Sequence, residues 1–322
     1  MRRSSKSWFL PLVLLGALVL GNVCATASMA QQPDPIEQAL AASRATGAPM
    51  LVIAGRETCP NCQNLLKQLG QRDLARLTTG VIPLKVNVDE PQWQAWAAQY
   101  GRPNGTTLPF VYLIRADGET LHSHSGPMDS AQLATVLAGQ LQLAGRPINP
   151  RQAEAISQAV SAAEEAVEQE DPAGAVRELQ PLKQLGELGQ LGSFAEPALK
   201  ADELVARLGA QVQERLGDVS QRIESEDDAM QACFDVVQAK RIFAAIPAID
   251  ATINPIFTEL RRNRDLRETL AQAQAIDRAV RQCEANSTRQ RGLEALQRII
   301  DESPGTPAAT LAQAQFDRYE AQ

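Results

Sequence analysis

The stretch LVIAGRETCPNCQNLLKQLG, residues 51–70, changes period in its middle. Leu51 to Ala54 is an unbroken apolar run of strand length, whereas Leu65, Leu66 and Leu69 recur at helical spacing, so a buried strand passes into an amphipathic helix. Cys59 and Cys62 sit at that passage, with Pro60 at a position suited to the first helical turn. A cysteine at a helix start faces unpaired N–H groups and the positive end of the helix dipole, which favour its thiolate. Cys62, one turn further on, lies within reach of it.

Outward from this junction, the elements alternate. PMLVIAG completes the strand, and residues 34 to 46 read as a helix before it. VIPLKVNVD reads as a second strand, PQWQAWAAQYG as a helix opened by Pro91 and closed by Gly101, and PFVYLI as a third strand. RADGET carries the hairpin signal Asp117-Gly118 and leads to a fourth strand around Leu121 to Ser125, then to a last helix from Ser130 to about Leu143. The pattern predicts an α/β domain, a central sheet with helices on both faces.

This order resembles the thioredoxin fold over residues 34 to 145: a strand, a Cys-x-x-Cys helix, a strand with Lys85-x-Asn87-x-Asp89, a helix, Pro109 opening the next strand, an Asp-Gly hairpin, Gly126 and a closing helix. The resemblance implies thiol–disulfide exchange, with Cys59 as nucleophile and Cys62 as the resolving thiol. It also implies a cis bond before Pro109, with Leu108 and Pro109 beside the dithiol where backbone pairs with an extended substrate. Pro60, which lacks an N–H, holds the motif open at its nucleophilic end and borders the substrate. The partners implied are protein thiols or disulfides and a redox partner that resets the dithiol; no cofactor is implied. The chain departs from the family at Ile53, where thioredoxins carry a buried acid, at Thr58, where they carry tryptophan, and in its inner pair Pro60-Asn61. With Ile53 opposite, Lys85 is expected to snorkel to the surface.

The rival readings of the pair are a permanent disulfide and a metal site. Zinc wants four ligands, and no second Cys-x-x-Cys or Cys/His pair is present, so no metal is expected. His122 and His124 share one face of the fourth strand and read as edge residues. Trp93 and Trp96 read as packing residues, and RRNRDLRE, residues 261–268, as a mixed-charge helix face.

At the N-terminus, Arg2, Arg3 and Lys6 precede an apolar stretch of 13 residues, Trp8 to Leu20, and small residues ending at Ala30. This reads as a secretory signal peptide, residues 1–30, too short for a span of roughly 20 residues; an uncleaved membrane anchor is the minor alternative. Cys24 would be discarded with it. Export places the protein in the periplasm or outside the cell, with no stable membrane span after cleavage. The net charge of −7 becomes about −10 once those three basic residues are removed, which disfavours nucleic acid as a partner. Four cysteines remain, Cys59, Cys62, Cys233 and Cys283, an even number in an oxidising compartment.

Near residue 147 the composition changes to Ala, Gln, Glu and Leu, divided by EDPAG, AIPAID and ESPGTPAA. We therefore expect a thioredoxin-like domain over 31–147 and an all-helical domain over 148–322. The segments AVRELQPLKQLG, CFDVVQAKRIFA and GLEALQRIIDES superpose with Gln180, Gln238 and Gln297 in equivalent positions, at spacings of 58 and 59. The closing stretch GLEALQRIIDESPGTPAATLAQAQF resembles the helix-turn-helix of tetratricopeptide-like repeats, which stack into solenoids with a concave surface. Two readings stand for this region: a surface for a protein partner, or a helical bundle packed on the first domain. Cys233 and Cys283 form either a stapling disulfide or two buried thiols. The sequence as a whole reads as an exported thiol–disulfide oxidoreductase whose direction of exchange is open. The alternative is a non-catalytic scaffold that keeps the cysteines.

Overall fold

The structure, a computed structural model, describes residues 34–321; residues 1–30, Cys24 among them, read above as a signal peptide, lie outside the described residues. The chain opens with α1 (Pro35–Thr46), β1 (Met50–Gly55), α2 (Pro60–Leu69), α3 (Arg72–Leu77) and β2 (Ile82–Asn87). It continues through α4 (Pro91–Tyr100), β3 (Phe110–Ile114), β4 (Thr120–Ser125) and α5 (Ser130–Gln140), with a 3-10 turn at Leu141–Ala144. The short helix α3 has no counterpart in the sequence reading, since its six residues are too few to establish a period.

The sheet is mixed, in the order β2-β1-β3-β4, with β1 parallel to β2 and antiparallel to β3. Its central strands are apolar throughout because both faces are covered. Met50, Val52 and Ala54 of β1 join Phe110, Tyr112 and Ile114 of β3 on the face packed by α1 and α4, where Trp93 and Trp96 are buried. Leu51, Ile53, Val111 and Leu113 point the other way, against Leu65, Leu74, Leu133 and Leu137 of α2, α3 and α5. The indole of Trp93 stacks on Phe110 at 5.4 Å, and the buried Tyr112 donates its hydroxyl to the Gly101 carbonyl at 2.8 Å, so its polar tip is satisfied. The β3–β4 hairpin turns at Asp117-Gly118, where Gly118 adopts φ +94°, a conformation open to glycine.

The remaining described chain is helical: α6 (Pro150–Glu168), α7 (Pro172–Leu179) with a 3-10 turn at Gln180–Gln184, α8 (Glu196–Leu216), α9 (Val219–Arg222), α10 (Glu226–Phe243), α11 (Pro247–Arg262), α12 (Arg267–Glu284), α13 (Arg289–Glu302) and α14 (Pro307–Glu320). Helix α6 packs against α7 and α8, α10 lies against α11 and α12, and α13 packs against α12 and α14. Gly292 permits the last arrangement, because a Cβ there would lie 2.5 Å from the Cys283 sulfur. Gln180 opens the 3-10 turn, whereas Gln238 and Gln297 lie inside α10 and α13, so the three aligned segments occupy different local structures. Cys233 and Cys283 are buried thiols on the adjoining helices α10 and α12.

The described residues from Pro35 onward belong to one compact unit, and its helical part meets the sheet at one end. The Ile148 N–H donates to the Thr46 carbonyl and the Arg146 N–H to the Gly192 carbonyl, both at 2.8 Å. The Arg115 guanidinium lies 3.8 Å from the Phe194 ring centroid. Gly47, at φ +71°, lets the backbones close up, since a Cβ would stand 2.8 Å from the Ala195 nitrogen. Thr46, Gly47 and Arg115 all belong to the Met50 end of β1. Gly55, where the dithiol follows, lies at the other end, about 17 Å away for a strand of this length. The composition change near residue 147 falls in the connection 145–149.

Candidate active site

Pro60 starts α2 and Cys59 is its N-cap, with extended backbone at φ −77° and ψ 116°. The Cys59 sulfur accepts the Cys62 N–H at 3.3 Å, doing the work an N-cap side chain oxygen usually does. The two cysteines are thus brought together as thiols, with no bond between them. They differ in environment. Cys59 is half-buried beside exposed Thr58, Pro60 and Asn61, whereas Cys62 is only 4% exposed on the inner face of the helix.

That difference separates their proton affinities. Burial resists ionisation of Cys59, but hydrogen bonds from the Cys62 thiol and from the backbone N–H groups of Cys62 and Asn61, with the positive charge of Arg56, outweigh it and hold the thiol below its usual range. Burial pushes Cys62 up to about 11, helped by its hydrogen bond to Cys59. One thiol is prepared to ionise and the other to keep its proton.

Behind the pair, β1 ends in Gly55, whose missing side chain makes room for Cys62: a Cβ there would lie 2.4 Å from the Cys62 sulfur and 4.0 Å from the Pro109 Cβ. Pro109 is buried and follows a cis peptide bond from the half-buried Leu108, and its Cβ lies on the same side of Gly55 as the Cys62 sulfur. The Pro109 carbonyl accepts the Gly126 N–H at 2.9 Å, which fixes the turn at the start of β3. Pro60 lies on the exposed rim.

Ile53 is buried on the α2 side of the sheet and pairs in register with the exposed Lys85. The position that resembles a buried acid in thioredoxins is therefore apolar in fact as well as in sequence. His122 and His124 lie on the edge strand β4 with rings 6.4 Å apart, and neither approaches the dithiol motif in sequence or strand order. Among the described residues no cluster of three or more metal-ligating side chains occurs.

Two residues escaped the sequence reading. Arg56 reaches across to Asp89 and donates from Nε to both carboxylate oxygens, at 3.1 and 2.9 Å, while its charge favours the Cys59 thiolate. The only hint in the sequence was a basic residue three positions before Cys59. Gly55 was read as the end of a strand, and nothing in its spacing betrayed the sulfur packed against it.

Residues 36–140 match the family described as thioredoxin-like domain. A thioredoxin-like protein from Clostridium perfringens, known from a solution structure, is 19% identical and aligns over 30% of this chain and 72% of its own, with a TM-score of 0.24. No curated protein matches the chain.

Proposed function

We propose that this protein is an exported thiol–disulfide oxidoreductase that exchanges disulfides with protein substrates through Cys59 and Cys62. The observation that carries the reading is the half-buried Cys59 at the N-cap of α2, its sulfur accepting the N–H of the buried Cys62 at 3.3 Å, inside a region that matches a thioredoxin-like domain. In the forward direction the Cys59 thiolate attacks a substrate disulfide, forming a mixed disulfide and releasing one substrate thiolate. Cys62 gives its proton to that thiolate or to water and attacks the Cys59 sulfur. The second substrate thiolate leaves, the substrate has gained two electrons, and the Cys59–Cys62 disulfide is reset by a dithiol partner. The reverse sequence donates a disulfide.

An extended substrate segment pairs with backbone at Leu108 beside Pro109, and Pro60 borders the path to the Cys59 sulfur. Ile53 offers Cys62 no carboxylate to take its proton, so the mixed disulfide resolves slowly. The helical region docks on the opposite end of the sheet from the dithiol, which leaves the Cys59 rim open to large substrates, and it supplies a surface for a protein partner.

The test is trapping. With Cys62→Ser, substrates accumulate as mixed disulfides through Cys59, and with Cys59→Ser they do not. Absence of adducts in both variants refutes the exchange reading and favours a scaffold, for which the buried, apolar Ile53 on the α2 side of the sheet is the observation in favour.

A further inference from the structure

A concavity of about 770 Å³ lies among the helices of the C-terminal part, within the size range of ligand pockets. Five helices, α7, α8, α10, α12 and α14, each bring one arginine to its wall: Arg177, Arg215, Arg241, Arg281 and Arg318. In a chain of net charge −7 this concentration runs against the composition. Three of the five are engaged. Arg215 holds the buried Asp235 at 2.7 Å, Arg241 holds Asp277 and Glu284, and Arg177 faces Asp171 at 3.8 Å. Arg281 and Arg318 are exposed and have no ion-pair partner among the described residues.

The first set builds the groove, since Arg241 ties α10 to α12 and Arg215 ties α8 to α10. Arg281 and Arg318 line the groove without an acid of their own, Arg318 lying 5.7 Å from the Tyr319 ring centroid. Between them the floor is partly apolar, with Val176, Ile242 and Tyr319, and Gln180 and Gln238 add amides that both donate and accept. These are two of the three glutamines aligned by the internal spacing, now on one surface. Glu170 lies on the rim in a left-handed conformation at φ 57°, a strained position for a residue with a side chain and one often found where a surface is used.

We propose that this groove binds an acidic segment of a partner protein, an extended peptide whose carboxylates pair with Arg281 and Arg318 and whose backbone meets Gln180 and Gln238. Planar guanidinium forks match carboxylates two bonds at a time. The acids of the wall, Glu170, Asp171 and Glu284, and the negative charge of the whole chain oppose a denser polyanion such as nucleic acid. The proposal rests on the reading of the helical region as a partner surface and is independent of the dithiol.

The experiment is fluorescence anisotropy on the full chain with a rhodamine-labelled octapeptide of alternating Glu and Ala, against the same peptide with Gln for Glu. Neither peptide contains cysteine, so failure of the exchange reading leaves the result intact, and substrate trapping by Cys62→Ser is unaffected by loss of the groove. The acidic peptide binds, and its Gln counterpart binds at least about tenfold more weakly. R281A/R318A weakens binding about tenfold, whereas R261A/R262A, the same charge change on exposed α11, leaves it unchanged. Four results overturn the proposal: no binding by the wild-type chain, equal binding of the two peptides, equal effects of the two variants, or displacement by inorganic phosphate beyond that by sodium chloride of equal ionic strength.

Discussion

Gly55→Ala adds one methyl group to the chain at the point where β1 meets the dithiol. The backbone of Gly55 does not have positive φ, so the substitution meets no conformational barrier and its whole effect comes from the space it enters. The new Cβ would lie 2.4 Å from the Cys62 sulfur, where non-bonded heavy atoms settle at about 3.5–4.0 Å, so one of them must retreat by about 1 Å. Cys62 is only 4% exposed, and overpacking at a buried site costs about 1–3 kcal/mol. In a unit of this size each kcal/mol lowers Tm by roughly 2–4 °C. The displaced sulfur also loosens the hydrogen bonds that Cys62 gives Cys59, now 3.3 Å from the Cys62 N–H, so the Cys59 pKa rises toward its ordinary value. Thermal unfolding measures the first effect, and the pH dependence of iodoacetamide alkylation at Cys59 measures the second. Gly118→Ala is the comparator: its Cβ meets nothing within 4 Å but sits at φ +94°, so it costs about 1–2 kcal/mol through the backbone and leaves the thiols unchanged. A Gly55→Ala protein with wild-type Tm and alkylation profile refutes the packing argument, and so does a Gly118→Ala protein whose Cys59 profile moves.

Three further outcomes are expected. Cys62 and Cys233 are each pushed up to about 11 by burial, so on raising the pH the unfolded chain loses these protons first, the native state binds more, and stability falls between about pH 9 and 11 with no effect below that window; urea midpoints at pH 8 and 10.5 measure the drop, and Cys233→Ala removes its share. Glu170→Gly relieves the left-handed residue that follows α6, where the Asp171 N–H closes back on Ala166 and glycine is the usual occupant, and raises stability by about 0.5–1 kcal/mol in chemical denaturation. Arg56→Ala removes a positive charge near Cys59, raising its pKa and slowing alkylation at pH 7 by less than about threefold, because the Arg56–Asp89 pair is more than half exposed and screened; an effect that does not shrink in 1 M salt would contradict this account.

The order of strands and helices in residues 34–145 was legible because the signals there are local. Pro91 and Gly101 bound α4, Asp117-Gly118 makes the hairpin, and the switch from an apolar run to helical spacing locates Cys59 at a helix start. The short α3 was not legible, being too brief for periodicity and unmarked by any capping bond from Gln71. In the helical region the punctuation located the helices, but the spacing of Gln180, Gln238 and Gln297 did not reveal that the first lies in a 3-10 turn. A weak internal repeat constrains sequence positions, and local geometry still depends on what each helix packs against.

By itself the sequence determined the local arrangement of the pair, two cysteines one turn apart at a helix N-terminus, in an α/β domain followed by helices. What the tertiary structure decided are contacts between residues far apart in the chain. Gly55 makes room for the Cys62 sulfur, Arg56 reaches Asp89, and the helical region seats on Thr46, Gly47 and Arg115 at the end of the sheet remote from Cys59. Five arginines spread from residue 177 to 318 meet in one groove. Periodicity and capping act within a few residues and survive in any context, whereas burial, close approach and charge clustering depend on which distant segments fold together, and a linear pattern carries no direct record of that.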